Sequence, residues 1–529
     1  MNLTRRSLLT LSVVATAVCA SSSSFAQSKK HKRVNPVLFW NAVALDLVAF
    51  DHSVEPAIAR APGPCASARA LGVVHAAIAD AVHFAYPSSY KPRFYRSRVE
   101  REIENPDLFV GGAAYAVLSY IFDTQMHRYL LETGAEGFKK LVGAWGSIDW
   151  EAGMAFGNSP PFRKLWVWGH MQQSLLPQFS NYVPKPRQHN IDPYNAGQGF
   201  YGVGWGSYQP LILTAPEVSL LSPEVPPPEG SPEYEKDLAE VRVKGALQSK
   251  ATKHFAARTP HETNVGLFWA YDGARLLGTP PRLYNQIVRQ IAIQDEMSVV
   301  EMARLFALCN LAMADASTVA WWAKYRYNVW RPILGIQNRV DRPEQDWLPL
   351  GAPKTNAPRP AEAGRESAQS LISAAAAVRD IGAAEERKGK PSERAQFKQL
   401  YGRAAFTPNF PAYPSGHSIF GSACFNMVKL CRSERAQTEG NPDAIRGEFI
   451  SDELNGVSSD PFHYGARPHY PIAYKSLDDM IEDNALSRVY LGVHWRFDCN
   501  RGVTSGARIA RVIYNGAYGP YEPPPRRGS

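Results

Sequence analysis

The sequence predicts an all-α fold joined by long irregular connections, and three observations predict it. Apolar residues recur at three- and four-residue steps, the period of a helix with a buried face. Val299, Met302, Phe306, Cys309, Met313 and Ala316 keep this step, and Leu305, Leu308 and Leu311 cover an adjoining face. Strict apolar–polar alternation, the mark of a half-buried strand, is almost absent. The 41 prolines fall mostly between the periodic runs, where they interrupt helices. With 529 residues and 45% hydrophobic content, the chain is long enough for two domains or one large two-lobed one.

Residues 1–26 read as an export signal. Arg5-Arg6 is a twin-arginine pair, an apolar run extends from Leu8 to Ala20, and Ser24-Phe25-Ala26 gives a small-x-small pattern before Gln27. The expectation is export by the twin-arginine route to the periplasm or beyond. The run is too short and too rich in Ser and Thr to span a bilayer, and no later segment has 18 uninterrupted apolar residues. The mature chain is therefore expected to lack a membrane span. A formal net charge of +9 suits a soluble protein with a taste for anions. No compact Lys/Arg run with interleaved aromatics marks a nucleic-acid groove. After cleavage Cys65, Cys309, Cys424, Cys431 and Cys499 remain. An odd number without CxxC spacing is neither a disulfide framework nor a zinc site, and Cys424 and Cys431, seven apart, read as small buried hydrophobes.

Residues 27–35 form a basic tail, and the helical pattern starts at Pro36. A first helical domain is expected over 36–221. Pro62-Gly63-Pro64 breaks the pattern before an Ala-rich helix from Ser67 to Ala85, whose His75 and His83 read as core or rim residues. Gly111 to Phe122 is a further helix, and Phe138 to Val142 begins another. Gly197-Gln198-Gly199-Phe200-Tyr201-Gly202 has the formal spacing of a dinucleotide fingerprint. No strand precedes it and no helix opens on it, so it reads as a loop near a site mouth. The Pro-rich Ser222 to Glu233 marks the boundary, and a second helical domain is expected over 234–517.

That second domain opens with Leu267-Phe268-Trp269-Ala270-Tyr271-Asp272-Gly273. The helix through residues 299–316 is apolar over most of its surface and belongs in the middle of a bundle. It leads to Lys324 and Arg331, seven residues apart, and Pro332 is expected to stop it. Residues 338–400 are rich in Pro, Ala and charge, with one helix near Ser370 to Arg379. Pro414-Ser415-Gly416 reads as a turn that launches a helix through Phe420 to Val428. Residues 451–480 read as loops with His463 and His469 on the surface, and Tyr518 begins a terminal tail.

The chemistry gathers around Asp483 to Asp498. Read as one helix, this stretch puts Ser487, Arg488, Leu491, His494 and Asp498 on or near one face. A carboxylate four residues after an imidazole can fix its tautomer, and the arginine can hold an anion against it. Two further pieces supply Lys324 with Arg331, and Ser415-Gly416-His417 at a helix start that offers free amides. Three cations, a hydroxyl, an amide and two histidines suit an oxyanion with several equatorial oxygens and one apical position.

These three pieces, KxxxxxxRP, PSGH and SRxxxxxHxxxD in this order, form a signature that resembles the vanadium-dependent haloperoxidases and the type 2 phosphatidic acid phosphatase superfamily. The flanks Trp330-Arg331-Pro332, Phe410 to His417 and Ser487 to Asp498 look like the vanadium chloroperoxidase branch. The similarity extends to Phe268–Gly273 and Ser67–Gly72. The resemblance implies two four-helix bundles, with vanadate bound in the C-terminal one. It implies His494 as the apical vanadium ligand, and Lys324, Arg331, Arg488, Ser415 and the Gly416 amide around the equatorial oxygens. It implies His417 as the acid–base group, Lys324 as the group that polarises peroxide, and Asp498 as the partner that orients His494. Asp272 is expected to support one of the arginines. Phe410 and Trp321 are expected to line the halide pocket. Bromide-selective relatives commonly carry a histidine at the place of Phe410, whereas Phe410 resembles the chloroperoxidases; bromide oxidation is expected, chloride oxidation stays open, and packing alone would equally account for Phe410. The implied partners are hydrogen peroxide, halide ions and a small organic acceptor. The same cradle suits phosphate, so the alternative is a secreted acid phosphatase with His494 as nucleophile.

Overall fold

The computed structural model describes residues 35–519, apart from 55–57, 98, 124, 127–146, 359–400, 436–439 and 463. The export motif, the helix expected from Phe138 and the helix expected near Ser370 to Arg379 lie outside the described residues.

The helices begin where the sequence supplies caps. The Asn35 carboxamide accepts from the Val37 and Leu38 amides and opens α1 (Pro36–Asp51), with Pro at its first position. Four helices make the N-terminal group: α1, α2 (Gly63–Ala85), α3 (Pro106–Phe122) and α4 (Ile148–Gly157). Beyond them lie α5 (Pro232–Lys244), α6 (Pro260–Phe268) and α7 (Pro280–Gln294). The long α8 (Val299–Tyr327) starts at a capping box in which Ser298 and Glu301 each bond the other's amide. After the short α9 (Pro332–Gln337) come α10 (Gly416–Arg435), α11 (Leu477–Tyr490) and α12 (Arg496–Gly516). The helices α8, α10, α11 and α12 pack together as the C-terminal bundle. The strands assigned among the described residues are two antiparallel pairs of two residues each, Ala352–Pro353 with Ala405–Phe406 and Glu448–Phe449 with Ile472–Ala473. The all-α expectation with two four-helix groups therefore holds.

The two groups share one core. Helix α2 lies along α8, and apolar side chains from Val37 to Tyr518 form a continuous cluster. Helix α2 is long and apolar enough to cross a membrane, but its most apolar stretch is wholly buried inside the protein, as expected of a core helix. The five described cysteines are free; Cys65, Cys309, Cys424 and Cys499 are buried, whereas Cys431, expected to be buried, is partly exposed. His75 is buried, with Nε2 2.9 Å from the Asn41 amide nitrogen and its ring stacked on Phe306. His83 is half-buried beside Phe84.

Three details differ from the sequence reading. Helix α8 is stopped by Asn328, whose left-handed backbone (φ 53°) ends the coil, and Pro332 starts α9 instead. Tyr518 belongs to the core: its hydroxyl donates to the Ala76 carbonyl and its own carbonyl accepts from Arg304. The stretch 483–498 is two helices, because Gly492 (φ 70°) breaks the coil between α11 and α12. A Cβ at Gly492 would lie 2.4 Å from the Gly245 carbonyl oxygen, so the close approach of α5 also requires glycine there.

Burial, with the charge of Arg289, lowers the His75 pKa to about 3. The unfolded chain therefore takes up this proton first, and stability falls as pH drops from about 6.5 toward about 3. Urea unfolding of wild type and His75→Phe between pH 7 and pH 4 should show the wild type losing ground by up to about 1.4 kcal/mol per pH unit. A stability difference independent of pH would mean that His75 titrates in the folded protein.

Candidate functional site

The three sequence pieces meet at the inner ends of α8, α10 and α12. Helices α10 and α12 touch almost backbone to backbone: a Cβ at Gly506 would lie 2.5 Å from the Ile419 carbonyl oxygen. This seam brings the turn before α10 to the start of α12, where the Ser415 amide donates to the Asp498 carbonyl at 3.0 Å. Ser418 lies in the same seam against Gly502.

A line of hydrogen bonds crosses the site. Asp498 Oδ2 lies 2.9 Å from His494 Nδ1, and also accepts from the Trp495 amide. His494 Nε2 lies 2.8 Å from Arg331 Nη1. A guanidinium only donates, so Nε2 is the acceptor, and the imidazole proton lies on the side of Asp498. Burial holds the His494 pKa well below the usual histidine range, and Arg331, Lys324 and Arg488 add to the effect. Burial pushes Asp498 up to about 8 against the pull of the Trp495 amide, Lys324 and Arg331. Imidazole and carboxyl thus share a proton between them and leave Nε2 as a lone pair turned toward the cations.

Three cations act on that ring, each at most 1% exposed: Lys324, Arg331 and Arg488. Arg331 also donates to the Phe410 carbonyl from Nε and to the Val493 carbonyl from Nη1, while its Nη2 has no partner among the described residues. Arg488 forms a two-pronged pair with Asp272 at 2.7 and 2.9 Å, which settles which arginine Asp272 supports. Its Nε has no partner among the described residues. Lys324 donates to the carbonyls of Pro411, Ala412 and Pro414 at 2.8, 3.1 and 2.5 Å, and so clamps the turn that carries Ser415. Burial, then Arg331, holds its pKa well below the usual lysine range. The Lys324 ammonium lies 5.4 Å from the Trp321 ring centre and 5.1 Å from that of Phe410, and the two rings are 4.8 Å apart.

Ser415 accepts from the Ser418 amide at 3.3 Å, which leaves its hydroxyl proton free to donate. The Gly416 amide, at the first position of α10, has no acceptor among the described residues. His417 Nε2 lies 2.5 Å from the Ala270 carbonyl, which only accepts, so Nε2 carries the proton and Nδ1 the lone pair. At 7% exposed, His417 is the least buried of these groups. Ser487 is not part of the constellation: its hydroxyl donates back to the Asn484 carbonyl. Asn484, which the sequence reading did not single out, donates to the His417 carbonyl at 2.8 Å. Its signal was available, since it stands four residues before Arg488. The role of the Ala270 carbonyl had no signal, because a backbone group leaves no trace in residue identity.

Among the described residues, three cations face two carboxylates, one of them raised to about 8, and several buried donors stay unpaired. A multiply charged oxyanion answers both deficits, and the Nε2 lone pair, which here accepts from Arg331 Nη1, becomes a ligand for its central atom when that donor turns to an oxygen instead. Fold and site together define a helical-bundle enzyme built on an oxyanion pocket. Comparison with known proteins gives the family. The vanadium chloroperoxidase N-terminal domain profile matches residues 27–141, and that of the second helical-bundle domain (VCPO) matches 304–521. The vanadium chloroperoxidase of Curvularia inaequalis is 30% identical over 537 aligned positions, covering 88% of this chain and 79% of that protein. Among solved structures, a bacterial vanadium-dependent iodoperoxidase aligns with a TM-score of 0.61 at 18% identity, over 92% of this chain and 98% of the other. The apo form of a bacterial vanadium-dependent chloroperoxidase aligns with a TM-score of 0.55 at 15% identity, over 86% and 93%. The chain belongs to the vanadium-dependent haloperoxidase family.

Removing Asp272 should leave the Arg488 guanidinium buried and unpaired. Asp272→Ala is expected to lower unfolding stability by about 3–5 kcal/mol, measured by urea denaturation of the vanadate-free protein. A loss below about 1 kcal/mol would show that the pair does not hold Arg488 in place.

Proposed function

We propose that this chain oxidises bromide, and chloride as a second substrate, with hydrogen peroxide, and that hypohalous acid passes to a small organic acceptor. The observation that carries the reading is the Asp498–His494–Arg331 line set among three buried cations with unpaired donors. His494 Nε2 would hold vanadium. Arg331 Nη2, Arg488 Nε, the Ser415 hydroxyl and the Gly416 amide would hold the oxygens of vanadate. Bound there, vanadate supplies Lewis-acid activation of peroxide without a change of oxidation state.

The remaining work falls to the chain. His417 Nδ1 takes a proton from incoming hydrogen peroxide, because the bond from Nε2–H to the Ala270 carbonyl leaves that lone pair free. Lys324 places a desolvated charge beside the reacting oxygens and polarises them toward halide attack, while its bonds to three carbonyls keep it in place. Asp272 fixes the plane of Arg488, and Asp498 fixes the tautomer of His494. The Phe410 and Trp321 rings exclude water on the halide side, which favours a partly dehydrated ion. The Arg5-Arg6 leader supports synthesis as an exported precursor that works outside the cytoplasm.

The mature protein, purified without phosphate and loaded with orthovanadate, should halogenate a diketone dye with peroxide and bromide. Turnover of p-nitrophenyl phosphate without vanadate, together with no halogenation, would overturn the proposal in favour of a phosphatase. Titration with vanadate should show that His494→Ala loses tight binding, whereas His417→Ala binds vanadate and loses halogenation. Equal vanadate affinity in wild type and His494→Ala would remove the ligand assignment.

A further inference from the structure

The glycine-rich loop at 197–202 takes no part in the chemistry above, yet it ties down the two rings on the halide side. The Tyr201 amide donates to the Asn409 carbonyl at 3.0 Å, and the Asn409 carboxamide donates to the Gln198 carbonyl at 3.1 Å. The loop is thereby joined to the segment that runs into Phe410. The Tyr201 carbonyl accepts from the Tyr325 hydroxyl at 2.6 Å and, more weakly, from Trp321 Nε1 at 3.4 Å, which joins the same loop to the last turns of α8. The Gly202 amide donates to the Leu175 carbonyl at 2.8 Å and so anchors the loop on a third segment.

Gly202 is where the loop meets the indole. It is buried, with φ 77°, a backbone that residues with a side chain rarely adopt. A Cβ there would lie 2.2 Å from Trp321 Nε1 and 2.5 Å from Cδ1, so the five-membered edge of the indole rests on bare backbone. The far edge of the same indole faces the turn that carries the oxyanion donors: a Cβ at Gly416 would lie 3.7 Å from both Cη2 and Cζ3. Trp321, 1% exposed, is thus a plate set between two glycines, one in the loop and one at the head of α10. Phe410, Tyr201 and Phe420 surround it at 4.8, 6.1 and 6.3 Å between ring centres. The Phe410 ring centre in turn lies 5.1 Å from Lys324 Nζ and 5.0 Å from the Arg331 guanidinium carbon, which sets this pair of rings against the cations of the pocket. A close-packed interior transmits the addition of one methyl group, and here it would drive the indole along its long axis towards Gly416.

We propose that Gly202 is a positioning residue that determines halide specificity: its bare backbone fixes where the Trp321 ring stands relative to Phe410 and Gly416, and with it which size of halide the site accepts. This deepens the haloperoxidase reading and rests on it. Gly202 acts through Trp321 and touches neither the halide nor the oxyanion. Iodide is larger than bromide and more easily oxidised, so an enzyme that oxidises bromide turns over both, and their ratio reports on size.

The mature chain, loaded with orthovanadate, gives that ratio from triiodide formation with iodide and diketone bromination with bromide. Gly202→Ala should raise the iodide-to-bromide KM ratio about tenfold, the low end of what one methyl group does to discrimination in an apolar pocket. Its kcat values, peroxide KM and vanadate affinity should stay near those of wild type. Trp321→Phe carries no atom at Nε1, so the Gly202→Ala/Trp321→Phe pair should show the ratio of Trp321→Phe alone. Simple addition of the two single shifts would mean that the methyl group does not act through the indole, and would overturn the proposal. So would an unchanged ratio in Gly202→Ala, or a loss of its vanadate affinity, which would make the loop a support of the oxyanion pocket. Should Gly202→Ala fail to fold, Tyr325→Phe decides, because it frees the Tyr201 carbonyl without adding an atom near the indole. It should shift the same ratio with vanadate affinity kept, and an unshifted ratio there overturns the proposal. If wild type halogenates and the ratio ignores these changes, this inference alone fails. If vanadate-loaded wild type halogenates with neither halide, the haloperoxidase reading fails, and this inference with it.

Discussion

The structure depends on keeping three cations out of water with too few carboxylates to balance them. Burying a charge costs several kcal/mol unless partners replace its hydration. Lys324 finds three backbone carbonyls, Arg331 two carbonyls and an imidazole, and Arg488 a carboxylate. None of these solutions is local. Each draws on a segment far away in sequence, so the pocket and the tertiary fold are held by the same bonds. What the protein leaves unmatched, Arg331 Nη2 and Arg488 Nε, is what an oxyanion can use.

The scaffold's contribution is rigidity at short range. The α10–α12 seam admits no side chain at Gly506, and Gly492 turns the chain so that His494 precedes α12 instead of ending α11. Asp498 then sits in the first turn of α12, where its carboxyl takes both the Trp495 amide and the His494 ring. A carboxyl near a helix start is well placed electrostatically, and here it also orients the imidazole. The N-terminal helices take part through α2 against α8, and through the loop around Tyr201, whose carbonyl accepts from Trp321 and Tyr325.

Electrostatics divide the histidines of this protein into distinct uses. His75 is neutral core, stacked and bonded to an amide. His494 and His417 are both held neutral by burial beside cations, yet the group that bonds each ring exposes a different nitrogen. Arg331 can only donate and so marks Nε2 of His494 as the lone pair. The Ala270 carbonyl can only accept and so marks Nδ1 of His417. Ring identity comes from sequence, but chemical role comes from the neighbour.

The sequence by itself determined the helical class, the caps and the order of the three basic pieces, because period, capping chemistry and spacing are local properties. It also paired His494 with Asp498 correctly, although the helix assumed for that pairing is broken at Gly492. A separation of four residues spans a cap as well as a turn. Only the tertiary structure decided that Asp272 belongs to Arg488, that Lys324 clamps the Pro411–Pro414 turn, and that Asn484 stands at the site. Those pairings cross tens to hundreds of residues and often use backbone carbonyls, which every residue carries alike. No residue pattern could announce them, so they became visible only when packing brought the segments together.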